Sequence, residues 1–403
     1  MWTQFLFGSF AMVLLYLFLL ELYENQTAAV IGALLFGLSA SLFNAVLSKE
    51  HGTEFFFAFL AMYLLLLGIK NKEKRTALFF SASCALGFLL WMRESGLFFP
   101  IIFYGFFLVE TVDFNVLEKR WKINREILTL KNCCALFVPY FILAAMAFYM
   151  YVWMLLQTGL STNTGTLFAM IPEIVQSIRD WYPELFFVFL GISIFLGIQK
   201  KEKRVLFFSG MIILFILLFS KNKTFDLRQI GIYVFFPAAA IISYGITNLL
   251  SRWTGWQRAG LLFLIGLLCI QVFLPGVSLF EQRKAHIYTK EFGEGIAAVV
   301  PEEKSVVFVQ KDFCLFVEYY GKRVCEGLPD DFFTAINRRL AEGKRVFVFY
   351  EAGFGFYSND MKTEIEQKYK LTQAYSGKFE TFHHADLKPQ VYNETLVEVK
   401  SMQ

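Results

Sequence analysis

The sequence predicts a polytopic α-helical membrane protein of about ten helices followed by a C-terminal soluble α/β domain. Three observations carry that expectation. Apolar residues fill 56% of the 403 positions, 49 of them phenylalanine, while charged residues reach only 18%, against about 25% in soluble domains. Apolar stretches near the length needed to cross roughly 30 Å of hydrocarbon recur as far as residue 278. From Glu281 onward the hydropathy collapses and short strand-like runs alternate with helical spacing. So much apolar surface exceeds what soluble domains of this size bury, so lipid must solvate much of the chain. The composition excludes disorder, collagen-like repeats and a secreted disulfide scaffold. A net charge of +4, scattered along the chain, gives no basis for nucleic-acid binding.

Spanning segments are expected near 3–23, 28–47, 53–69, 77–92, 96–109, 134–156, 184–199, 205–220, 230–250 and 259–278. The segment at 96–109 is short, follows the Arg93-Glu94 pair and reads as tilted or re-entrant. Lys and Arg in the short loops set the orientation. Fifteen fall in one alternate set: Lys70 to Arg75, Lys119 to Lys131, Lys200 to Arg204, and Arg252 with Arg258. Six fall in the other: Lys49, Arg93, Arg179, Lys221, Lys223 and Arg228. The richer set is expected in the cytoplasm of a plasma-membrane protein, which puts the loops at 48–53, 157–183 and 221–229 outside. The same parity starts the chain outside, with neither a basic n-region nor a small-residue cleavage site. An upstream helix and its outer loop are therefore expected to be missing, the alternative being a first helix that inserts with its N-terminus out.

Residues 1–278 are thus read as the transmembrane domain and 279–403 as an extracytoplasmic α/β domain. In the latter, Ser305–Gln310 and Arg345–Glu351 are short apolar runs typical of buried strands. Between them, Asp330–Lys344 carries helical spacing at Phe333, Ile336 and Leu340, with Asp330 placed to cap it and Gly343 to end it. A second helix is expected at Asn359–Tyr369 and a last strand at Glu394–Lys400, giving a small parallel or mixed sheet.

Ionisable residues at helix mouths are costly near lipid and so default to functional hypotheses. Three outer clusters qualify. Glu50, His51 and Glu54 crowd the mouth of the third helix, a set able to hold a divalent metal such as Mg or Mn; an acidic helix start favoured by the dipole is the plain alternative. Arg93 has the planar fork that grips phosphate, or else snorkels to head groups or pairs with Glu94. Lys221, Lys223 and Arg228 gather positive charge before a helix broken by Pro237, suited to a lipid-linked phosphate or to anionic lipid. An amphipathic helix bearing Ile171, Ile174, Ile178 and Trp181 is expected in the outer loop, as an acceptor border or a plain connector. His383, His384 and Asp386 read as a surface turn more readily than as a metal site. Cys314 and Cys325 either bridge or stay as buried thiols, and Cys133 and Cys134 should be reduced. Asn25, Asn222 and Asn393 head N-x-T sequons; the last two are the glycosylation candidates, because only they are expected outside.

The third cluster resembles the RY-x-x-P-x-x-P-x-x-A-x-G segment of fold-C (GT-C) membrane glycosyltransferases, which include aminoarabinose and protein O-mannosyl transferases. Arg228 matches its arginine, Pro237 one proline and Gly245 the glycine, with Ile230 in place of the aromatic. Thr53 to Arg75 followed by Ala85 to Tyr104 is similar to that superfamily's paired helices, basic inner loop and re-entrant turn. The resemblance implies sugar transfer from a polyprenyl-phosphate carrier to a glycan, lipid or protein acceptor at the outer face. It also implies a catalytic Asp in a first outer loop that this sequence does not contain, so the general base is unknown. Two rivals follow: an accessory or truncated protein that binds lipid-linked glycan, and a transporter or flippase. The latter is disfavoured because the charges sit at helix mouths and no repeat is evident.

Overall fold

The computed structural model describes residues 2–39, 42, 51–92, 98–115, 120–158, 175, 178–179, 182–219, 231–284, 287–309, 314, 317–327, 331–350, 359–381 and 390–401. The chain divides into two compact units, Met1–Leu279 and Phe280–Gln403.

The first unit is helical. Its elements are α1 (Trp2–Tyr23), α2 (Gln26–Gly37), α3 (His51–Lys70), α4 (Arg75–Met92), α5 (Phe99–Thr111), α6 (Leu130–Thr158), α7 (Glu184–Gln199), α8 (Lys203–Phe219), a π-helical turn (Gly231–Phe235) continuing into α9 (Phe236–Arg252), and α10 (Gly255–Lys284). Among the described residues, five helices are long and apolar enough to cross a membrane: Thr3–Tyr23, Gly52–Lys70, Leu130–Tyr149, Tyr233–Arg252 and Gly255–Val277. This is a multi-pass membrane protein. The segment expected near 28–47 closes as a helix at Gly37. There Ser39 donates its hydroxyl to the Phe36 carbonyl and accepts from the Leu42 amide, a side-chain competitor for the backbone bonds that would prolong the helix. A second difference is an antiparallel hairpin, β1 (Val112–Asn115) with β2 (Arg120–Ile123), where the sequence suggested only a charged loop.

Packing follows membrane logic, in which small residues let backbones approach and polar side chains satisfy stray backbone groups. A Cβ on Gly245 would lie 1.9 Å from Ser193 Oγ and 2.8 Å from its Cα, so α9 and α7 touch nearly backbone to backbone. Ala238, Ala239, Ala240 and Ser243 are small and buried as well, Ser243 lying against Gly32 of α2, and α9 is largely buried. In α6, Pro139 lies inside the helix, and the amide of the next residue, Tyr140, donates to Ser83 Oγ of α4 at 2.9 Å. Trp256 at the start of α10 is 93% exposed, as suits an aromatic anchor at the lipid–water boundary.

The second unit is a mixed five-stranded sheet. Its elements are α11 (Ile287–Val299), β3 (Ser305–Val309), β4 (Cys325–Gly327), α12 (Phe332–Ala341), β5 (Arg345–Phe349), α13 (Asn359–Lys368), β6 (Tyr369–Thr381) and β7 (Gln390–Ser401). The order is β4-β3-β5-β7-β6, with β3 parallel to β4 and β5, and β7 antiparallel to β5 and β6. Side chains alternate between two cores. Val306, Phe308, Val346 and Val348 meet α12 and α13 through Phe332, Ile336 and Ile365; Val307, Val309, Phe347 and Phe349 meet α11 through Phe292 and Ile296. Burial on both faces explains why β3 and β5 read as continuous apolar runs. At α12 the N-cap position belongs to Asp331, which makes no side-chain cap bond; Asp330, expected there, lies outside the described residues. Gly343 ends the helix as expected, at φ +70°, a conformation a side chain would strain. Cys314 and Cys325 form a disulfide.

Candidate functional site

Contacts between helix ends show how the membrane unit is strung. At one end, Arg204 grips Glu110 through two bonds of 2.7 and 3.0 Å and also donates to the Leu22 carbonyl. Tyr23 donates to the Ala240 carbonyl at 2.9 Å. Lys70 reaches Glu24 at 2.8 Å, Lys200 bonds Asn248, and Arg75 donates to the carbonyls of Gly68, Ile69 and Glu126. In the adjoining loops, Lys70 and Lys72 hold the Glu24 and Glu126 carboxyls below the usual carboxylate range by direct hydrogen bonding. Asn25, one of the three sequons, is here a helix cap, its carbonyl oxygen accepting from the Ala28 amide.

The opposite end brings together residues that flank the three sequence clusters. Arg93, Lys221, Asn222, Lys223, Arg228 and Glu50 lie outside the described residues, and of His51 only the backbone is described. Their described neighbours converge. Glu54, in the first turn of α3, is 3% exposed, and the adjacent Phe55 packs on Phe36 with centroids 5.1 Å apart. Phe36 in turn stacks on Phe235 at 6.0 Å, in the turn that follows the Arg228 segment. Tyr233 of that turn meets Phe99, just after the Arg93 segment, at 6.3 Å and Phe215 at 4.5 Å. Phe235 also stacks on Tyr182 at 4.7 Å and Phe186 at 5.2 Å. Residues flanking all three clusters therefore share one aromatic floor at one end of the bundle.

Local sequence explains the geometry. The tight approach of α1 to α3 needs Gly52, where a Cβ would sit 2.5 Å from the Gln4 carbonyl oxygen. Gln4 then accepts from the Thr53 amide at 3.3 Å, satisfying one of the orphan donors at the α3 start. The π-helical turn shifts Tyr233 and Phe235 relative to a regular helix, and such turns recur at functional sites. Pro237 follows at the first turn of α9, where the fixed φ of proline suits a helical backbone.

The floor itself was missed in the sequence, although the YVFFP run directly after the Arg228 cluster was its signal. Among the described residues, no group of three His, Cys, Asp or Glu side chains could hold a metal ion. Elsewhere, Asn393 is exposed on β7 opposite Lys378. Ile178 is buried, while Ile171, Ile174, Trp181, His383, His384 and Asp386 lie outside the described residues.

Solved structures similar to this chain include ArnT from Cupriavidus metallidurans bound to undecaprenyl phosphate. The TM-score is 0.54 at 10% identity, over 98% of this chain and 82% of that one. This chain has the GT-C fold. A second GT-C structure, the oligosaccharyltransferase of Archaeoglobus fulgidus in its apo form, gives 0.50 at 14% identity, over 86% of this chain and 58% of that one. At such identities the likeness is one of fold. No family model and no curated protein sequence matches the chain. The GT-C fold agrees with the resemblance carried by Arg228, Pro237 and Gly245, and Gly245 now has a physical reason: nothing larger fits against Ser193.

Proposed function

We propose that this protein is a membrane glycosyltransferase that moves a sugar from a polyprenyl-phosphate carrier to a glycan, lipid or protein acceptor. The observation that carries the reading is the convergence, within a GT-C fold, of the described residues that flank Glu54, Arg93 and Arg228 on one aromatic floor. Arg93, Lys221, Lys223 and Arg228 bind the donor phosphate, where charge-assisted and bidentate bonds are strongest. Glu50, His51 and Glu54 hold a divalent cation, Mg or Mn, whose role is to neutralise phosphate charge. Two carboxylates are suitable donors for so hard an ion, and Glu54 is already held out of water. The aromatic floor excludes water beneath the phosphate, which strengthens each of those electrostatic bonds. Undecaprenyl phosphate on ArnT supports a carrier of this chemical class.

The floor faces the extracytoplasmic side of a plasma membrane in this reading, as does the sheet unit. Two features support it. Fifteen Lys and Arg in one alternate loop set, against six in the other, follow the positive-inside bias. The Cys314–Cys325 disulfide suits an oxidising compartment. Asn393, exposed on β7, and Asn222 are the proposed glycan attachment points in a glycosylating host.

The reading is tested on purified protein in nanodiscs. Wild-type protein binds undecaprenyl phosphate and transfers label from a polyprenyl-phosphate sugar. Arg228→Ala weakens lipid binding about tenfold or more, as expected for loss of a charged hydrogen bond of about 1.5–3 kcal/mol. Wild-type affinity in that variant removes Arg228 from the donor site, and absence of binding in the wild type removes the reading.

A further inference from the structure

The second unit holds a concave site of about 390 Å³ lined by Tyr350, Glu366, Tyr369, Leu371, Gln373, Thr395 and Val397, within the size range of ligand clefts. It lies on the sheet face covered by α13, and three adjoining strands frame it. The Tyr350 amide donates to the Thr395 carbonyl at 2.8 Å, and Gln373 sits opposite Val397 in the β6–β7 register. Tyr369 is fixed from behind, its hydroxyl donating to Asn337 Oδ1 at 2.8 Å and its ring parallel to Phe333. Tyr350 is fixed at its tip by Glu366 and on one face by Lys362, 4.1 Å from the ring centroid. The rim therefore offers the half-buried Tyr350 ring beside a planar carboxylate, a planar amide and a hydroxyl, with Tyr369 buried beneath and Glu366 and Gln373 exposed to solvent.

We propose that this site binds a neutral saccharide unit of the acceptor. A sugar ring presents apolar C–H faces and a circumference of hydroxyls. Ring faces suit the first, while carboxylate, amide and hydroxyl side chains supply both donors and acceptors to the second. Glu366 and Lys362 offset each other around Tyr350, so no net positive charge draws a phosphate or other anion. A peptide recognised by strand addition would use main-chain groups along a sheet edge, whereas this lining is made of side chains on a sheet face. The role as an acceptor subsite rests on the transferase reading; the binding itself does not.

Saturation-transfer NMR of the full-length protein in nanodiscs, with methyl pyranosides of glucose, galactose, mannose and N-acetylglucosamine and no lipid-linked donor, tests the site. At least one pyranoside is expected to bind, and Gln373→Ala, an exposed change that leaves the cores intact, to weaken it about fivefold, as one lost hydrogen bond does. Tyr350→Phe, which keeps the ring, is expected to weaken it less than Tyr350→Ala. Silence from every pyranoside, wild-type binding in both Gln373→Ala and Tyr350→Ala, or binding of an unglycosylated peptide panel instead overturns the proposal. Because no donor is present, a chain that binds sugar without transferring it loses the transferase reading alone. Transfer without any pyranoside binding loses this site alone.

Discussion

At the end of the bundle where α1, α3, α8 and α9 exchange polar contacts, charged side chains are tied to partners in the protein. Arg204 holds Glu110 and the Leu22 carbonyl, and Lys70 holds Glu24. At the opposite end, ring-on-ring contacts through Phe36, Phe55, Phe99, Tyr233 and Phe235 hold the helix starts together. Among the described residues, charge therefore serves architecture at the first end, whereas ring packing is the main tie at the second. In the proposed function, the charged residues of the segments flanking that floor serve a ligand. Substitutions of charge should accordingly cost stability at one end and affinity at the other.

The largest expected effect is at the polar end. Glu110 is 7% exposed and Arg204 24%. Arg204→Ala leaves a buried carboxylate without its partner, at a cost of about 3 kcal/mol or more, read as a lowered unfolding midpoint in nanodiscs. An unchanged midpoint breaks the comparison. Next comes the disulfide. Cys314→Ser should destabilise the sheet unit by about 2–3 kcal/mol for so short a loop, and alkylation without reductant should leave wild-type Cys314 and Cys325 unmodified. Gly245→Val follows, at about 1–3 kcal/mol, since its side chain must displace Ser193; Gly260→Val in α10, where a Cβ meets nothing within 4 Å, is the control.

The smallest effect is electrostatic and sits in the sheet unit. Hydrogen bonds from Arg345 and then Lys400 hold the Glu398 carboxyl below its ordinary value. A folded-state pKa lowered in this way gives stability that is complete above the unfolded value near 4.5 and is lost as pH falls through the folded value. Glu398→Gln should flatten that acid limb by less than about 1 kcal/mol, because Arg345 is half exposed. A midpoint against pH for both proteins checks the sign.

Much of this architecture was readable because lipid imposes a length and a hydropathy on each helix. The Tyr233–Arg252 span and the strands at Ser305 and Arg345 were visible for that kind of reason, as unbroken apolar runs. Other elements gave no such signal. β6 mixes Lys370, Gln373, Ser376 and Gly377 with few apolar positions and contains an irregularity between Gln373 and Tyr375, so its period-two pattern is lost. α11 carries Gly293 and Gly295, which resemble helix breakers but serve close packing against Tyr320 and Tyr375. The Arg204–Glu110 pair joins residues 94 positions apart, a separation no local pattern encodes. At the site, Arg93 and Arg228 stood out as charges at helix mouths, while the floor connecting their segments depends on rings contributed by six separate stretches of chain.

Photolabelling tests the central claim most directly. Wild-type protein in nanodiscs is irradiated with a polyprenyl phosphate bearing a photoreactive group beside the phosphate, digested, and mapped by mass spectrometry. Labels are expected on peptides spanning 51–59, 98–103 and 231–236, competed away by unlabelled polyprenyl phosphate. Competed labels confined to the Lys70, Glu110 and Arg204 peptides would put the phosphate at the wrong end of the bundle and contradict the account.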